Sequence, residues 1–347
     1  MPETFHFERV SCRYGKAAPN SLKDCSFSLE PGERALVLGP SGSGKTTLFR
    51  ALAGLERPFE GTIRLGSECW SEGRKIFVAA EHRRVGFVFQ QLALWSQMTV
   101  QQSLVFVSKR SRRESELEAK RLSEVFGMGA KYHCYPHELS GGEAQRLALA
   151  RALCQDPRFL LLDEALAKLD APLRRGILHD LLTYLDDEKN LSALFVTHQK
   201  SEAHLFSDRV MVLDRGELQV DGSLKELSKE PARKQVAELL DLGAILEGTV
   251  KERQAETVLG LVDFRFLGEP FQSGDRLSLL LRPRDWIFEE ASEGLGVVTG
   301  LESYDGCESV VSVNIAGQLF QGRSKEPYMR GTKVRWSFRE ALKVLRD

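Results

Sequence analysis

Short runs of consecutive apolar residues alternate with helix-like patterns over residues 1–220. Continuous apolar runs are typical of strands in a parallel sheet that is covered on both faces. The runs lie at 35–38, 85–89, 159–162, 193–197 and 209–213. Residues 45–55 carry leucines at helical spacing, and the alternating segments 3–10 and 62–65 predict half-exposed antiparallel strands. Together these patterns predict an α/β domain.

A charged helical segment interrupts this domain. Residues 99–138 have a helical pattern, and the run 109–116 within them consists mostly of Lys, Arg, Glu and Ser. We expect a helical subdomain at about 92–155, with the charge run as a solvated face rather than a binding patch. The pattern at 222–242 predicts a helical connector that contains Pro231.

Beyond residue 242 the pattern changes to short alternating segments separated by glycine. Such segments are typical of a small all-β barrel. They lie at 245–251, 256–264, 276–281, 296–300, 309–315 and 333–338. We therefore predict two domains, an α/β domain at 1–240 and a β-barrel domain at 243–347, because 347 residues exceed one ordinary core.

Composition narrows the function classes. A formal net charge of −1 argues against a protein that binds nucleic acid through charge alone, so no nucleic-acid partner is expected. The six cysteines form no Cys-x-x-Cys pair, which argues against a zinc site or a disulfide framework. The charged start predicts no signal peptide, and no stretch approaches the ~18 apolar residues of a membrane-spanning helix. We expect a protein that reaches a membrane only by docking onto other subunits.

A glycine-rich loop follows the strand at 35–38. Its sequence, Gly39-Pro-Ser-Gly-Ser-Gly-Lys-Thr46, lies between a predicted strand and a helix, the setting in which this pattern binds the phosphates of a nucleotide. Lys45 is expected to reach the β- and γ-oxygens, and the Thr46 hydroxyl to ligate Mg²⁺. The expected nucleotide-holding residues are Gly39, Pro40, Ser41, Gly42, Ser43, Gly44, Lys45, Thr46 and Thr47.

Two acids, Asp163 and Glu164, follow the apolar run at 159–162. Open α/β sheets bind ligands at the carboxyl ends of their strands. We expect Asp163 to hold Mg²⁺ through water and Glu164 to orient or deprotonate the attacking water. The alternative is that two acids merely end a strand, but the phosphate loop upstream favours chemistry, and the adjacent Glu favours hydrolysis over phosphate transfer to an acceptor.

A second glycine-rich turn, Ser140-Gly141-Gly142, precedes an amphipathic helix. Ser140 and Glu143 have the spacing of a capping box, which alone could fix the start of the helix. A capping box does not require two glycines, which lower helix propensity unless something approaches the backbone closely. One nucleotide does not need two anion sites, so the γ-phosphate of a facing subunit is the expected occupant.

These three segments, in this order, make the chain resemble the nucleotide-binding subunit of an ABC transporter, of the importer type with a C-terminal TOBE-like domain. The matching motifs are the phosphate loop 39–46, the signature 139–143 and the magnesium strand 159–164. The resemblance covers about residues 1–240. It implies an α/β P-loop ABC ATPase domain with a helical subdomain, followed by a small all-β barrel of the OB or TOBE type.

The resemblance also implies roles for single residues. Tyr14 would stack on adenine, although it could be an ordinary aromatic of an edge strand. Gln90 would sense Mg²⁺ and couple to the membrane partner; Gln91 is its rival, but strand alternation favours Gln90. Asp170 would lie in the loop that crosses the dimer, and His198 would contact the γ-phosphate.

Three departures from the family pattern accompany these matches. Ala165 replaces the usual proline after the catalytic glutamate, and Ala167-Lys168 replaces Ser-Ala in the dimer-crossing loop. Catalysis should survive, but communication across the dimer would be altered. Trp95, in a segment that usually has an aromatic-proline pair, is a candidate for an exposed contact with the membrane partner.

The implied assembly is a homodimer that binds ATP and Mg²⁺, each ATP lying between one phosphate loop and the other copy's Ser140 turn. Permease subunits would contact Gln90–Val100, a solute-binding protein would act indirectly, and the subunit would lie at the cytoplasmic face of the inner or plasma membrane. The alternative is a soluble, non-transport ABC-type ATPase, although such proteins typically have two cassettes or a long coiled coil. A P-loop kinase or a regulatory binding module is a further rival.

Overall fold

The computed structural model describes residues 3–13, 20–197, 209–229, 231, 233–240, 242–265, 271–304 and 308–345. The chain divides into two units, Met1–Leu224 and Lys225–Asp347, and each unit contains a hydrophobic core of its own. In the described part of the chain, no helix combines the length and the apolar character that crossing a membrane requires.

A six-stranded sheet forms the centre of the first unit, in the order β11-β10-β3-β9-β8-β7. Its strands are β3 (Arg34–Leu38), β7 (Val85–Val88), β8 (Phe159–Asp163), β9 (Ser192–Val196), β10 (Arg209–Asp214) and β11 (Glu217–Ser223). All pairs are parallel except β10 with β11. Strands β8 and β9 are buried along their whole length, as their continuous apolar sequences predict.

A second, antiparallel sheet packs in the same unit, in the order β2-β1-β4-β5-β6. Its strands are β1 (Phe5–Arg13), β2 (Asn20–Leu29), β4 (Glu60–Leu65), β5 (Glu68–Glu72) and β6 (Lys75–Ile76). One core cluster joins residues of both sheets. Within it, the rings of Phe5 and Trp70 from the antiparallel sheet both lie edge-on to the Phe159 ring of the central sheet, at centroid distances of 5.0 Å and 6.0 Å, so aromatic contacts hold the two sheets together.

Among the residues that the structure describes before β11, five α-helices complete this unit. They are α1 (Lys45–Ala53), α2 (Val100–Val107), α3 (Arg112–Val125), α4 (Gly141–Leu153) and α5 (Ala171–Asp187), with short 3₁₀ helices at Ala80–His82, Gly129–Lys131 and Pro136–Glu138. Helices α2, α3 and α4 pack on one another and form the helical segment that the sequence predicts. The charge run 109–116 is exposed except for Ser115, which confirms it as a solvated face.

The second unit begins with two short helices, α6 (Leu224–Lys229) and α7 (Lys234–Leu239), on either side of Pro231. The remainder confirms the predicted β-domain and divides it between two closed barrels, with orders β12-β13-β14-β21-β15 and β16-β19-β18-β17-β20. The strands are β12 (Ala244–Lys251), β13 (Gln254–Thr257), β14 (Gly260–Arg265), β15 (Arg276–Leu281), β16 (Trp286–Glu290), β17 (Gly296–Tyr304), β18 (Ser309–Ile315), β19 (Gln318–Ser324), β20 (Lys333–Phe338) and β21 (Leu342–Leu345). The single strand predicted at 256–264 is wrong, because a turn at Val258 and Leu259 splits it into β13 and β14. Gly260, whose φ is 98°, begins β14.

Candidate active site

Three of the predicted groups follow the carboxyl ends of neighbouring parallel strands. The glycine loop follows β3, Asp163 ends β8 with Glu164 directly after it, and Gln90 follows β7. Parallel strands end at the same edge of a sheet, so one edge receives all of these side chains. His198 would follow β9 at that edge, but it and Tyr14 lie outside the described residues.

The loop after β3 has two positions, Gly39 and Gly44, at which a backbone carbonyl of the same chain leaves no room for a side chain. Gly39 and Gly44 have φ values of 155° and 108°, in the region that favours glycine. A Cβ atom at Gly39 would lie 2.1 Å from the carbonyl oxygen of Leu213, and one at Gly44 would lie 2.4 Å from that of Ser21. Gly42 also has a positive φ, of 79°, but open space surrounds it. The chain itself therefore fixes both ends of the loop and leaves its middle free.

Lys45 is held inside this loop. Its Nζ donates hydrogen bonds of 2.9 Å to the carbonyl oxygens of Gly39 and Pro40, and the residue is 6% exposed. Burial lowers the pKa of the Lys45 ammonium group, while the charges of Glu164 and Asp163 oppose that shift. The ammonium group and the two carboxylates thus share one electrostatic environment.

The other side chains of the loop differ in exposure. Ser41 and Thr46 are exposed, whereas Thr47 and Ser43 are buried. The Ser43 hydroxyl has no hydrogen-bond partner among the described residues although it is buried. Buried polar atoms are normally paired, so this hydroxyl is available to a ligand that enters the loop.

Gln90 and Glu164 meet directly. The Gln90 Nε2 donates a hydrogen bond of 3.0 Å to the Glu164 Oε2, which joins the ends of β7 and β8. Glu164 has a φ of 50°, an uncommon value for a residue with a side chain, and its N–H donates to the carbonyl oxygen of Val196 at 3.0 Å. Asp163 is buried. Of the two neighbouring glutamines, Gln90 is therefore the one whose side chain contacts the glutamate.

The Ser140 turn begins α4 as a capping box. The Ser140 hydroxyl accepts from the Glu143 N–H at 3.3 Å, and the Glu143 carboxylate accepts from the Ser140 N–H at 2.8 Å. The two glycines that follow have different surroundings. A Cβ atom at Gly142 would lie 2.4 Å from the Leu173 Cδ2, whereas one at Gly141 would meet nothing within 4 Å. Sequence reasoning gave both glycines one reason, but α5 of the same chain accounts for Gly142.

The segment from Glu164 to α5 is a short loop. The Ala167 N–H donates to the Glu164 carbonyl oxygen at 3.1 Å, and the Asp170 carboxylate caps α5 by accepting from the Leu173 N–H at 2.9 Å. Asp170 thus has a structural role as a helix cap in addition to its predicted place beside the nucleotide. Lys168 is exposed.

Two features of the loop after Gln90 were not foreseen. Trp95 is half-buried between the Arg151 guanidinium and the Phe106 ring, so the prediction of an exposed Trp95 is wrong. The exposed aromatic ring near this loop is instead that of Phe106, which is 65% exposed and borders an open groove together with Met98 and Val105. Sequence reasoning also missed Arg151, whose only signal is a cation within the apolar pattern of α4.

Comparisons with known proteins agree with this geometry. A family model described as ABC transporter matches residues 22–167. The spermidine/putrescine import ATP-binding protein PotA of Protochlamydia amoebophila is 37% identical over 82% of this chain and 76% of its own length. The trehalose/maltose import ATP-binding protein MalK of Thermococcus litoralis is 33% identical over 90% of each chain.

Solved structures with a similar fold include the following example. It is a dimeric ATP-binding cassette in a post-hydrolysis state, bound to ADP and Pi. It superimposes with a TM-score of 0.56 and 26% identity, and it covers 63% of this chain and 98% of the other.

Proposed function

The chain belongs to the ABC transporter family, among the ATP-binding subunits of import systems, and from that premise we propose how its residues divide the work of ATP hydrolysis. The subunit binds and hydrolyses ATP to energise the import of a small solute. The observation that carries the assignment of roles is the hydrogen bond between Gln90 and Glu164 at the edge where the phosphate loop also lies.

The phosphate loop holds the triphosphate. The first N–H groups of α1 have no carbonyl partner within the helix, and the glycines let them converge on an anion. Lys45 leaves the carbonyl oxygens of Gly39 and Pro40 and neutralises the β- and γ-oxygens instead. The predicted adenine contact of Tyr14 completes the binding of the nucleotide.

The residues at this edge fit a magnesium ion. Asp163 is a buried carboxylate in the field of Lys45, and the Thr46 side chain is exposed at the first turn of α1. Oxygen ligands of this kind, together with nucleotide oxygens, suit Mg²⁺. Thr46, Asp163 and Gln90 would hold the ion, which supplies positive charge next to the transferred phosphoryl group when bound.

Glu164 positions the attacking water. Its carboxylate has one oxygen fixed by Gln90, and its backbone is held to the end of β9, so the side chain has a defined direction. It accepts a proton from the water while Lys45 and the predicted His198 stabilise the charge on the phosphoryl oxygens.

A second copy of the chain completes the site. Gly141 leaves open space beside the backbone at the start of α4, and the helix dipole favours an anion there. The γ-phosphate held by the phosphate loop of a facing copy fits this turn. Asp170 lies nearby, because it caps the helix whose Leu173 packs beside Gly142. The dimeric form of the similar solved cassette supports the arrangement. Hydrolysis removes the bridging phosphate, so the two copies separate.

As the ATP-binding subunit of an import system, the chain would bind permease subunits in the membrane. The relatives act on polyamines and sugars by their names, and that difference leaves the solute of this chain open. The permease surface proposed at Gln90–Val100 extends to the groove beside Phe106, since an exposed aromatic ring is a common anchor at interfaces. A solute-binding protein would act indirectly, through the permeases. The ATP-binding subunit itself would lie at the cytoplasmic face of the inner or plasma membrane.

The test is phosphate release from Mg-ATP by the purified chain, alone and with permease subunits from the same source. We expect slow hydrolysis alone and a change in rate when the permeases are added. A rate that ignores the permeases would favour a soluble, non-transport ABC-type ATPase, and transfer of phosphate to an acceptor without release would favour a kinase.

A further inference from the structure

Arg151 is a buried cation that has no part in the mechanism above. It lies in the last turn of α4 and is 9% exposed. Its Nη1 donates to the carbonyl oxygen of Ala93 at 2.6 Å, and its Nη2 donates to that of Leu92 at 2.7 Å. Among the described residues it forms no ion pair. Burial lowers the pKa of the guanidinium, so this placement costs free energy that its contacts must offset.

The contacts of Arg151 all fall on one short loop. Ala93 has a φ of 48°, a left-handed conformation that is unfavourable for alanine. The guanidinium carbon lies 4.9 Å from the centre of the Trp95 ring, which packs edge-on against Phe106 of α2 at 5.3 Å. Two hydrogen bonds and a cation–π contact therefore favour a loop conformation that includes an unfavourable φ at Ala93.

The held loop begins at the catalytic edge. Gln90, which precedes Leu92 and Ala93, donates to Glu164 at 3.0 Å. The helix that carries Arg151 begins at the Ser140 turn. One rigid helix thus carries the second anion turn at its start and the anchor of the Gln90 loop at its end.

We propose that Arg151 is a positioning residue that fixes the loop after Gln90 to helix α4. The Gln90 amide, which contacts Glu164, then keeps a constant position relative to the Ser140 turn at the start of the same helix. The inference rests on the proposed function, since it acts through Gln90. Lysine cannot replace this arginine, because an ammonium group can donate to two carbonyl oxygens, as Lys45 does, but has no planar group to lie on the ring at the same time.

The experiment compares Arg151→Lys with Arg146→Lys. Arg146 is a matched control: it lies on the same helix and donates to the Phe126 carbonyl oxygen at 3.0 Å and to Asp180, away from the Gln90 loop. We expect Arg151→Lys to lower kcat about tenfold with ATP affinity within about twofold of wild type. Arg146→Lys should change both within about twofold.

The decisive readout is a double-mutant cycle with Gln90→Ala. If Arg151 acts through Gln90, Arg151→Lys has no further effect on kcat in the Gln90→Ala background. The same fractional loss in both backgrounds would overturn the inference and leave the proposed function intact. A Gln90→Ala variant with wild-type kcat would overturn the role of Gln90 in the proposed function and, with it, the inference.

A second variant tests the same contact if Arg151→Lys does not fold. Thermal unfolding of each purified protein shows whether it is folded. Trp95→Leu removes the ring beneath the guanidinium without leaving a new buried charge. We expect it to lower kcat about threefold, again with no further effect when combined with Gln90→Ala. An equal loss in both backgrounds would also overturn the inference.

Discussion

The phosphate loop and the Ser140 turn are both glycine-rich and both begin a helix, yet their surroundings differ. In the phosphate loop, Gly39 and Gly44 lie against carbonyl oxygens of the same chain, and Lys45 is buried within the loop. In the Ser140 turn, Gly141 is exposed and would have room for a side chain. The first site is shaped by its own chain, whereas the second leaves a backbone surface open.

The three glycines compared have different surroundings. Gly39 lies against a backbone oxygen that cannot move aside, Gly142 lies against the end of the Leu173 side chain, which can shift, and Gly141 has nothing within 4 Å. Glycine in a helix interior costs about 0.5–1 kcal/mol relative to alanine, and the cost is smaller at the start of a helix. A glycine without an internal reason therefore points to a ligand brought by another molecule.

The largest expected effect tests the chemistry on the phosphate-loop side. Glu164→Gln keeps the shape and can still accept from Gln90, but it cannot take a proton. We expect kcat to fall about a hundredfold or more, with ATP affinity within about twofold of wild type, measured by phosphate release and nucleotide titration. The control is Glu72→Gln, the same substitution at an exposed residue that has no assigned role. Wild-type turnover in Glu164→Gln would remove the role assigned to this residue.

A substitution pair within the phosphate loop tests whether the chain shapes this site. Gly39→Ala places a Cβ atom 2.1 Å from a backbone oxygen at a φ of 155°, whereas Gly42→Ala meets open space. We expect ATP affinity to fall about a hundredfold for Gly39→Ala. For Gly42→Ala the fall should be about fivefold, from backbone conformation alone. Equal losses would contradict the distinction.

A third prediction separates the two glycines of the Ser140 turn by their stability. Gly142→Ala should lower the free energy of unfolding by up to about 1 kcal/mol, because its Cβ atom must displace the end of the Leu173 side chain and the helix propensity of alanine offsets part of that cost. The double variant Gly142→Ala/Leu173→Ala should recover part of that loss relative to the sum of its single changes. Gly141→Ala should leave the free energy of unfolding unchanged or slightly raised. Additive effects in denaturant titrations would show that Leu173 does not explain Gly142.

The smallest effect concerns the cap of the Ser140 turn. The N–H of Ser140 and its hydroxyl lower the pKa of the Glu143 carboxyl. The stabilisation is therefore present above the ordinary pKa of glutamate and is lost as the pH falls through the lowered value. Glu143→Gln keeps an oxygen acceptor without the titration, so its thermal stability should fall less than that of wild type below pH 4.5. Parallel pH profiles would exclude this role.

The sequence predicted the central sheet because its strands are uninterrupted apolar runs. It predicted the edge of the site because glycine, lysine and acids occur where strands end. It did not predict that β13 and β14 are separate strands, since the two residues of the turn between them, Val258 and Leu259, are apolar. Nor did it predict the reason for Gly142 or the role of Arg151, because both depend on contacts with residues far away in the chain.

In the proposed mechanism, one ATP is held by two copies of the chain. The most direct measurement is the mass of Glu164→Gln by light scattering at saturating Mg-ATP, beside Glu164→Gln/Gly141→Asp, which places a negative charge where the γ-phosphate of the facing copy would lie. We predict that the first variant is a dimer and that the second binds ATP but stays a monomer. A monomeric Glu164→Gln, or a dimer that tolerates the aspartate, would contradict the claim.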